Sequence, residues 1–240
     1  MIRPSSEMHV MVNLKGFDVS KERLESVIRS VEEATKAAGR TADSVNLIAV
    51  SKTFDETAIE PILAAGHRQF GENRVQESQK KWPTLKKVYP DAVLHLIGPL
   101  QSNKAADAVA LFDVIHTVDR PKIAKALSVE IEKQNRSVEV FIQINTGKED
   151  QKAGIYPEDA DSFINECKQV HRLSVKGPMS IPPIDEDAGK HFKMLADIAA
   201  RNELEFLSMG MSADYAEAIK HGATHIRVGS AVFGARTKPV

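Results

Sequence analysis

Cysteine is almost absent from this chain: Cys167 is the only one in 240 residues. A lone thiol makes neither an intramolecular disulfide nor a cysteine-rich metal centre, which fits a reducing compartment. An excess of charge of one sign is missing as well. With 32 Lys and Arg against 33 Asp and Glu the formal net charge is -1, so neither nucleic acid nor an anionic membrane surface is expected as a partner. Nowhere do about 18 apolar residues run together without a charge, so no membrane span is expected. The stretch from Met1 to Asn13 offers only the short apolar run Val10-Met11-Val12, so no secretory signal is expected either. Asn135-Arg136-Ser137 fits a glycosylation sequon, which carries no weight without such a signal. The expectation is a soluble cytoplasmic protein. Aromatic residues are few, at 5%, yet 42% of the chain is hydrophobic, enough for a buried core and too much for a disordered or fibrous chain.

What is present is alternation. Eight short apolar runs, rich in β-branched residues, read as strands: Asn46 to Ser51, Arg68 to Gly71, Val93 to Ile97, Val114 to Thr117, Val138 to Ile144, Leu173 to Met179, Glu205 to Ser208 and Thr224 to Val228. Amphipathic stretches between them read as helices: Glu56 to Ala65, Arg74 to Lys87, Asn103 to Leu111, Pro121 to Gln134, Pro157 to Gln169, Asp187 to Arg201 and Ala213 to Lys220. Pro121 and Pro157 suit a first helical turn, and Gly66 and Gly222 suit a helix stop. A further helix, Ser20 to Ala38, comes first, with Leu24, Val27, Ile28 and Val31 on one face to cover the core or the barrel bottom. Eight βα units point to one (β/α)8 TIM barrel spanning residues 1–240 with an extra N-terminal helix. An open doubly wound sheet is the competing fold, but Ser51-Lys52-Thr53 follows the first strand where a glycine-rich dinucleotide turn would stand.

Barrels build their sites from the loops after the strands. The first such loop offers Lys52, whose amine, if desolvated at a barrel mouth, becomes a nucleophile toward an aldehyde; a lysine paired at the rim is the structural alternative. Glu72, Asn73, Gly98, Gln101, Asn103, Thr117, Asn145, Thr146 and Gly147 follow strands two to five, and each could equally be a helix cap. After strand seven comes Ser208-Met209-Gly210-Met211-Ser212, and after strand eight Gly229-Ser230. Small residues there expose backbone N–H groups that hold a phosphate, and loops after strands seven and eight are a common place for one. Arg227 adds a permanent cation. A lysine, a phosphate cradle and an interior arginine suggest a ligand with both an aldehyde and a phosphate, and pyridoxal 5′-phosphate (PLP) is one.

Ala49-Val50-Ser51-Lys52-Thr53, Phe70-Gly71-Glu72-Asn73 with Gln76-Glu77, Ile97-Gly98 through Leu100-Gln101-Ser102-Asn103-Lys104, Lys152-Ala153-Gly154, Leu207 to Ser212 with Asp214, Ala218-Ile219, and Arg227-Val228-Gly229 through Phe233-Gly234 occur in order along most of the chain. With them the sequence resembles the pyridoxal phosphate homeostasis proteins, single-domain PLP binders like the N-terminal barrel of alanine racemase. The resemblance implies PLP as cofactor, held as a Lys52 aldimine, with Asn73 beside the pyridine ring and Arg227 facing its nitrogen. It implies phosphate contacts at Ser212, Gly229 and Ser230, with Ser208 as a further contact, and apolar walls at Met209 and Met179. Three places depart from the family pattern: Leu94-His95-Leu96 stands for Trp-His-Phe, Pro99 for a polar residue, and Gly177-Pro178-Met179 for Gly-Leu-Met. His95 reads as a satisfied core histidine and Cys167 as packing.

The same resemblance implies a carrier that buffers or delivers PLP, with apo PLP-dependent enzymes as recipients. The alternative is a small PLP-dependent amino acid racemase, which needs a second acid/base group opposite Lys52. In racemases that group is a tyrosine from an added β domain of a neighbouring subunit. Here about twelve residues follow the eighth strand, and the tyrosines are Tyr89, Tyr156 and Tyr215. A permanently charged Arg227 at the ring nitrogen also weakens the ring as an electron sink. A third class is a cofactor-free barrel aldolase using Lys52 on a phosphorylated sugar. No heptad or long apolar stripe asks for a second copy, so a monomer is expected.

Overall fold

The computed structural model describes residues 6–234, with side chains from residue 19. After α1 (Ser6–Ala37) come β1 (Asn46–Val50), α2 (Glu56–Ala64), β2 (Gln69–Glu72), α3 (Val75–Val88), β3 (Val93–Leu96), α4 (Ala105–Leu111) and β4 (Val114–Val118). Then follow α5 (Pro121–Gln134), β5 (Glu139–Ile144), α6 (Ala160–Gln169), β6 (Ser174–Ser180), α7 (Ala188–Arg201), β7 (Ser208–Met211), α8 (Tyr215–Lys220), β8 (His225–Val228) and α9 (Ser230–Phe233). The strands are parallel and close in sequence order, with Asn46 of β1 opposite His225 of β8. This is the expected (β/α)8 barrel. Among the described residues no helix is long and apolar enough to cross a membrane.

Alternate strand residues explain the two layers of the core. Leu47 of β1 faces outward with Phe70, Leu94, Leu96, Ile115, Val140, Ile226 and Val228, packing under the helices. Each such buried side chain contributes about 1.5–3 kcal/mol relative to exposure. α1 packs on α2, α8 and α9, so it closes the helical ring beside β1 and β8 rather than the barrel bottom. Leu24, Val27 and Val31 are buried as expected, while Ile28 is exposed. Arg40, just beyond α1, donates to the carbonyls of Ile219 (3.0 Å) and Ala223 (2.7 Å) and so ties α1 to the end of α8.

Three elements differ from the sequence reading by more than two residues, the first being α1, which begins at Ser6 rather than Ser20. Pro157 sits in a turn and α6 begins at Ala160. β7 begins at Ser208, where the apolar run Glu205 to Ser208 had placed its end. Small and flexible residues, Ser-Met-Gly-Met, carry that strand, so local β-propensity gives no signal for it. Ser208 and Met209 are therefore strand residues and not a loop.

Inside the barrel, Val114, Phe141 and Met179 form an apolar plug with Val93 and Phe206. Met179 thus fills core. Against the plug lie three histidines: His116 stacks on Phe141 (centroids 4.4 Å apart), and His225 meets Phe141 edge-on at 5.2 Å. His95 Nδ1 lies 2.9 Å from His116 Nε2. Desolvation pushes His95 down to about 3 and His225 to about 4, and holds His116 well below its ordinary value.

Two outcomes follow from this packing. A Cβ on Gly177 of β6 would collide with the Phe206 carbonyl oxygen and press on the Phe141 ring. Gly177→Ala should therefore cost about 3 kcal/mol, the upper end for overpacking, read as a lower urea midpoint at unchanged m-value. The histidines set a pH dependence. Their folded pKa values are depressed, so below about pH 6.5 the unfolded chain binds more protons than the folded one. Their stabilisation is complete above that pH and is lost as pH falls toward the folded values near 3 and 4. Urea titrations should show stability falling from about pH 6.5 downward, less steeply in His225→Phe; a profile flat down to about pH 5 would refute it.

Candidate functional site

Lys52 leaves the end of β1 in a backbone held from both sides. The Lys81 ammonium of α3 donates to the carbonyls of Ser51 (3.0 Å) and Phe54 (2.8 Å), which bracket Lys52. Lys81 is buried and ion-paired with buried Glu72 at 2.8 Å. Glu72 Oε1 also accepts from Ser51 Oγ (2.5 Å) and Trp82 Nε1 (3.0 Å). Burial pushes the Glu72 carboxyl up, against the pull of Lys81. Beside Lys52, Thr53 adopts φ +70°, a conformation disfavoured for a β-branched residue, and its N–H donates to Glu77 Oε1 at 2.5 Å. Glu72 therefore braces the loop from behind the sheet and does not face the barrel mouth. Lys81 and Glu77 carry functional geometry that the sequence reading missed. Their i,i+4 spacing on α3 was the available signal.

At the carboxyl ends of the strands lies a cavity of about 240 Å³. Its walls include Lys52, Asn73, Ser212, Arg227, Gly229 and Ser230, joined by apolar Val50, Phe54, Ile97, Ile181 and Met211. Six of the eight expected site residues thus converge. Asn73 is seated by Gly98, on which a Cβ would collide with the Asn73 backbone. α9 begins at Ser230 on the cavity wall, where the first N–H groups of a helix lack intrahelical partners. Phe54 stacks on Phe233 at 4.9 Å.

Ser208 and Met209 do not line this cavity. Strand alternation turns Met209 outward into the layer beneath the helices, fully buried. Ser208 is fully buried in the barrel interior, where its hydroxyl accepts from Arg227 Nη1 at 2.7 Å. The other strand-end polar residues brace loops: Thr117 Oγ1 donates to the Gly98 carbonyl (2.8 Å), and Asn145 Nδ2 to the Glu149 carbonyl (2.9 Å). Gln101 lies on a neighbouring cavity with Arg74, Lys104 and Arg120. Tyr156 is exposed and hydrogen-bonds Asp150. Cys167 is buried in α6, its thiol pushed up to about 12 by desolvation.

Arg227 is the electrostatic centre of the site. It is 5% exposed; desolvation lowers it to about 10, so it stays charged at neutral pH. Among the described residues no carboxylate lies within ion-pair distance of it; Asp214 acts on it from farther away. Its second anchor is the Ser180 carbonyl, 2.9 Å from Nη2. A buried cation on a cavity wall without a close counter-charge suits an anionic or lone-pair-bearing ligand. The donor set therefore fits PLP: an amine residue, a cation for a ring nitrogen, and hydroxyl and backbone groups for a phosphate.

The family model described as "Alanine racemase, N-terminal domain" matches residues 23–237. The pyridoxal phosphate homeostasis protein of Pseudomonas aeruginosa is 40% identical over 222 residues, covering 90% of this chain and 95% of that one. The protein of the same name from Vibrio alginolyticus is 37% identical over 226 residues, covering 90% and 97%. PipY of Synechococcus elongatus PCC7942, solved without PLP, superposes with a TM-score of 0.80 at 38% identity, covering 89% of this chain and 99% of that one. The same protein with PLP bound gives a TM-score of 0.77 at 37% identity, covering 90% and 100%. Fold, site geometry and these similarities agree: the chain belongs to the alanine racemase N-terminal domain family, among the pyridoxal phosphate homeostasis proteins.

Proposed function

We propose that this protein binds PLP in the cavity at the barrel mouth and acts in the cytoplasm as a monomeric holder of the cofactor that supplies apo PLP-dependent enzymes. The observation that carries the reading is the meeting of Lys52 and the buried Arg227 cation on one cavity, in a chain similar to a protein solved with PLP bound. Bound PLP supplies an electrophilic aldehyde and a conjugated ring that takes up electron density. The Lys52 amine is the residue for the aldehyde. Asn73 would lie beside the ring and Arg227 would face its nitrogen, while Ser212, Gly229 and Ser230 would hold the phosphate. A guanidinium facing that nitrogen opposes a second positive charge there, which weakens carbanion chemistry.

Holding without turnover is further supported by the cavity walls. Among their described residues, Lys52 is the one conventional proton-transfer group, whereas racemisation needs two on opposite faces of a carbon. The barrel and its leading helix act as one functional unit in this reading.

Purified protein loaded with PLP should show a visible absorbance band and, after borohydride reduction, a pyridoxyl mass on Lys52. Lys52→Ala should lose both, and their absence from the wild type sinks the reading. Ser230→Ala should weaken binding less, by up to about tenfold, because backbone N–H groups share the phosphate contact. Catalysis is checked separately: incubation with single L-amino acids in deuterated water should give no multiple-turnover exchange at the α-carbon. Sustained exchange or racemisation would replace the carrier with a racemase. Incubation with a defined apo-enzyme and a trap for free PLP should show transfer.

A further inference from the structure

We infer that Ser208, His116, His95 and Gln69 form a one-way hydrogen-bond chain that begins at Arg227 and fixes its guanidinium under the cavity, with both histidines neutral and carrying their hydrogen on Nε2. Four contacts make the chain: Arg227 Nη1 to Ser208 Oγ, 2.7 Å; Ser208 Oγ to His116 Nδ1, 2.8 Å; His116 Nε2 to His95 Nδ1, 2.9 Å; His95 Nε2 to Gln69 Oε1, 2.7 Å. It crosses the barrel interior from β8 through β7, β4 and β3 to β2.

Arginine has only donors, so the polarity is set at that end. Among the described residues, Ser208 Oγ has two partners, Arg227 and His116. If His116 donated to it, Ser208 would accept twice and its own hydrogen would be buried without an acceptor, a costly arrangement. Ser208 therefore donates to His116 Nδ1. The hydrogen of His116 is then on Nε2 and points at His95 Nδ1, which puts the hydrogen of His95 on Nε2, against Gln69. Every bond runs the same way, so each polarises the next. A second hydrogen on His95 would face that of His116, and one on His116 would displace the Ser208 donation. The burial that keeps these rings neutral acts in the same sense.

Toward the cavity the consequence is a cation held at a fixed place on the wall. Two of the five N–H groups of Arg227 are spent on Ser208 and Ser180, and the chain behind it carries no hydrogen toward the ligand. Ser208, His116 and His95 do not line the cavity; they are positioning residues that decide where Arg227 points. This matters for the proposed cofactor, whose ring nitrogen would meet a fixed cation.

The first test uses the full chain without cofactor. Long-range 15N–1H NMR should show His95 and His116 as Nε2–H tautomers, and an Arg227 Nε–H signal should be resolved. Ser208→Ala and His116→Phe break different bonds, yet both should broaden the Arg227 signal, and the double variant should do no more than either alone. A hydrogen on Nδ1 of either ring, a doubly protonated ring or an exchanging mixture overturns the one-way chain, and that measurement needs no variant to fold. An Arg227 signal indifferent to His116→Phe overturns the positioning role. With PLP added, each variant should bind about tenfold more weakly while borohydride still labels Lys52; unchanged affinity in both also overturns it. A wild type that takes up no PLP would defeat the proposed function, and the cofactor-free spectra would still decide the chain.

Discussion

One buried charge organises the upper half of this barrel. Taking a guanidinium out of water costs several kcal/mol even after relaxation, and no carboxylate among the described residues stands within ion-pair distance of Arg227 to offset it. The protein answers with dipoles: the Ser208 hydroxyl and the Ser180 carbonyl accept from it. Those acceptors need partners of their own, and that need explains a polar level in a barrel interior that could have been filled with valine and leucine. His116 and His95 satisfy Ser208 and each other, and Phe141 covers the His116 ring face. The apolar plug below and the open cavity above are the two boundaries of that level.

Lys52 is held by the opposite strategy. A full ion pair, Glu72 with Lys81, is buried behind the sheet, and its spare hydrogen-bonding capacity grips the backbone on either side of Lys52. A buried pair adds little net stability, but removing one partner strands a charge and is expensive. The pair therefore acts as a geometric constraint, and Thr53 at φ +70° shows where the constraint is felt. Anchoring through the main chain leaves the Lys52 side chain on the cavity wall.

Most of the architecture was legible because parallel barrel strands buried on both faces read as short apolar runs. β7 was misplaced because the ladder there is carried by Ser208, Met209, Gly210 and Met211, none of which advertises a strand. That shift also separated the readable site from the actual one. Lys52, Asn73, Ser212, Gly229 and Ser230 lie past strand ends, where a strand-end rule puts them, and Arg227 lies inside β8; Ser208 and Met209, read as the start of the loop after the seventh strand, are interior and outer-layer positions of β7. Lys81 was invisible for a different reason. A lysine on an amphipathic helix looks solvated, and only the tertiary fold brings it over the β1 loop.

The two anchors together bear on what such a site does. Arg227 is fixed from below by neutral dipoles and Lys52 is fixed from behind by an ion pair, so both ends of a ligand spanning them meet preorganised groups. Preorganisation serves binding and catalysis alike; the difference lies in what could move a proton. The chain behind Arg227 runs away from the cavity, and on the described walls Lys52 is the one conventional acid or base. The order of such a site goes into holding a ligand in place: a network of neutral dipoles at one anchor and a buried ion pair behind the other keep both groups where they are.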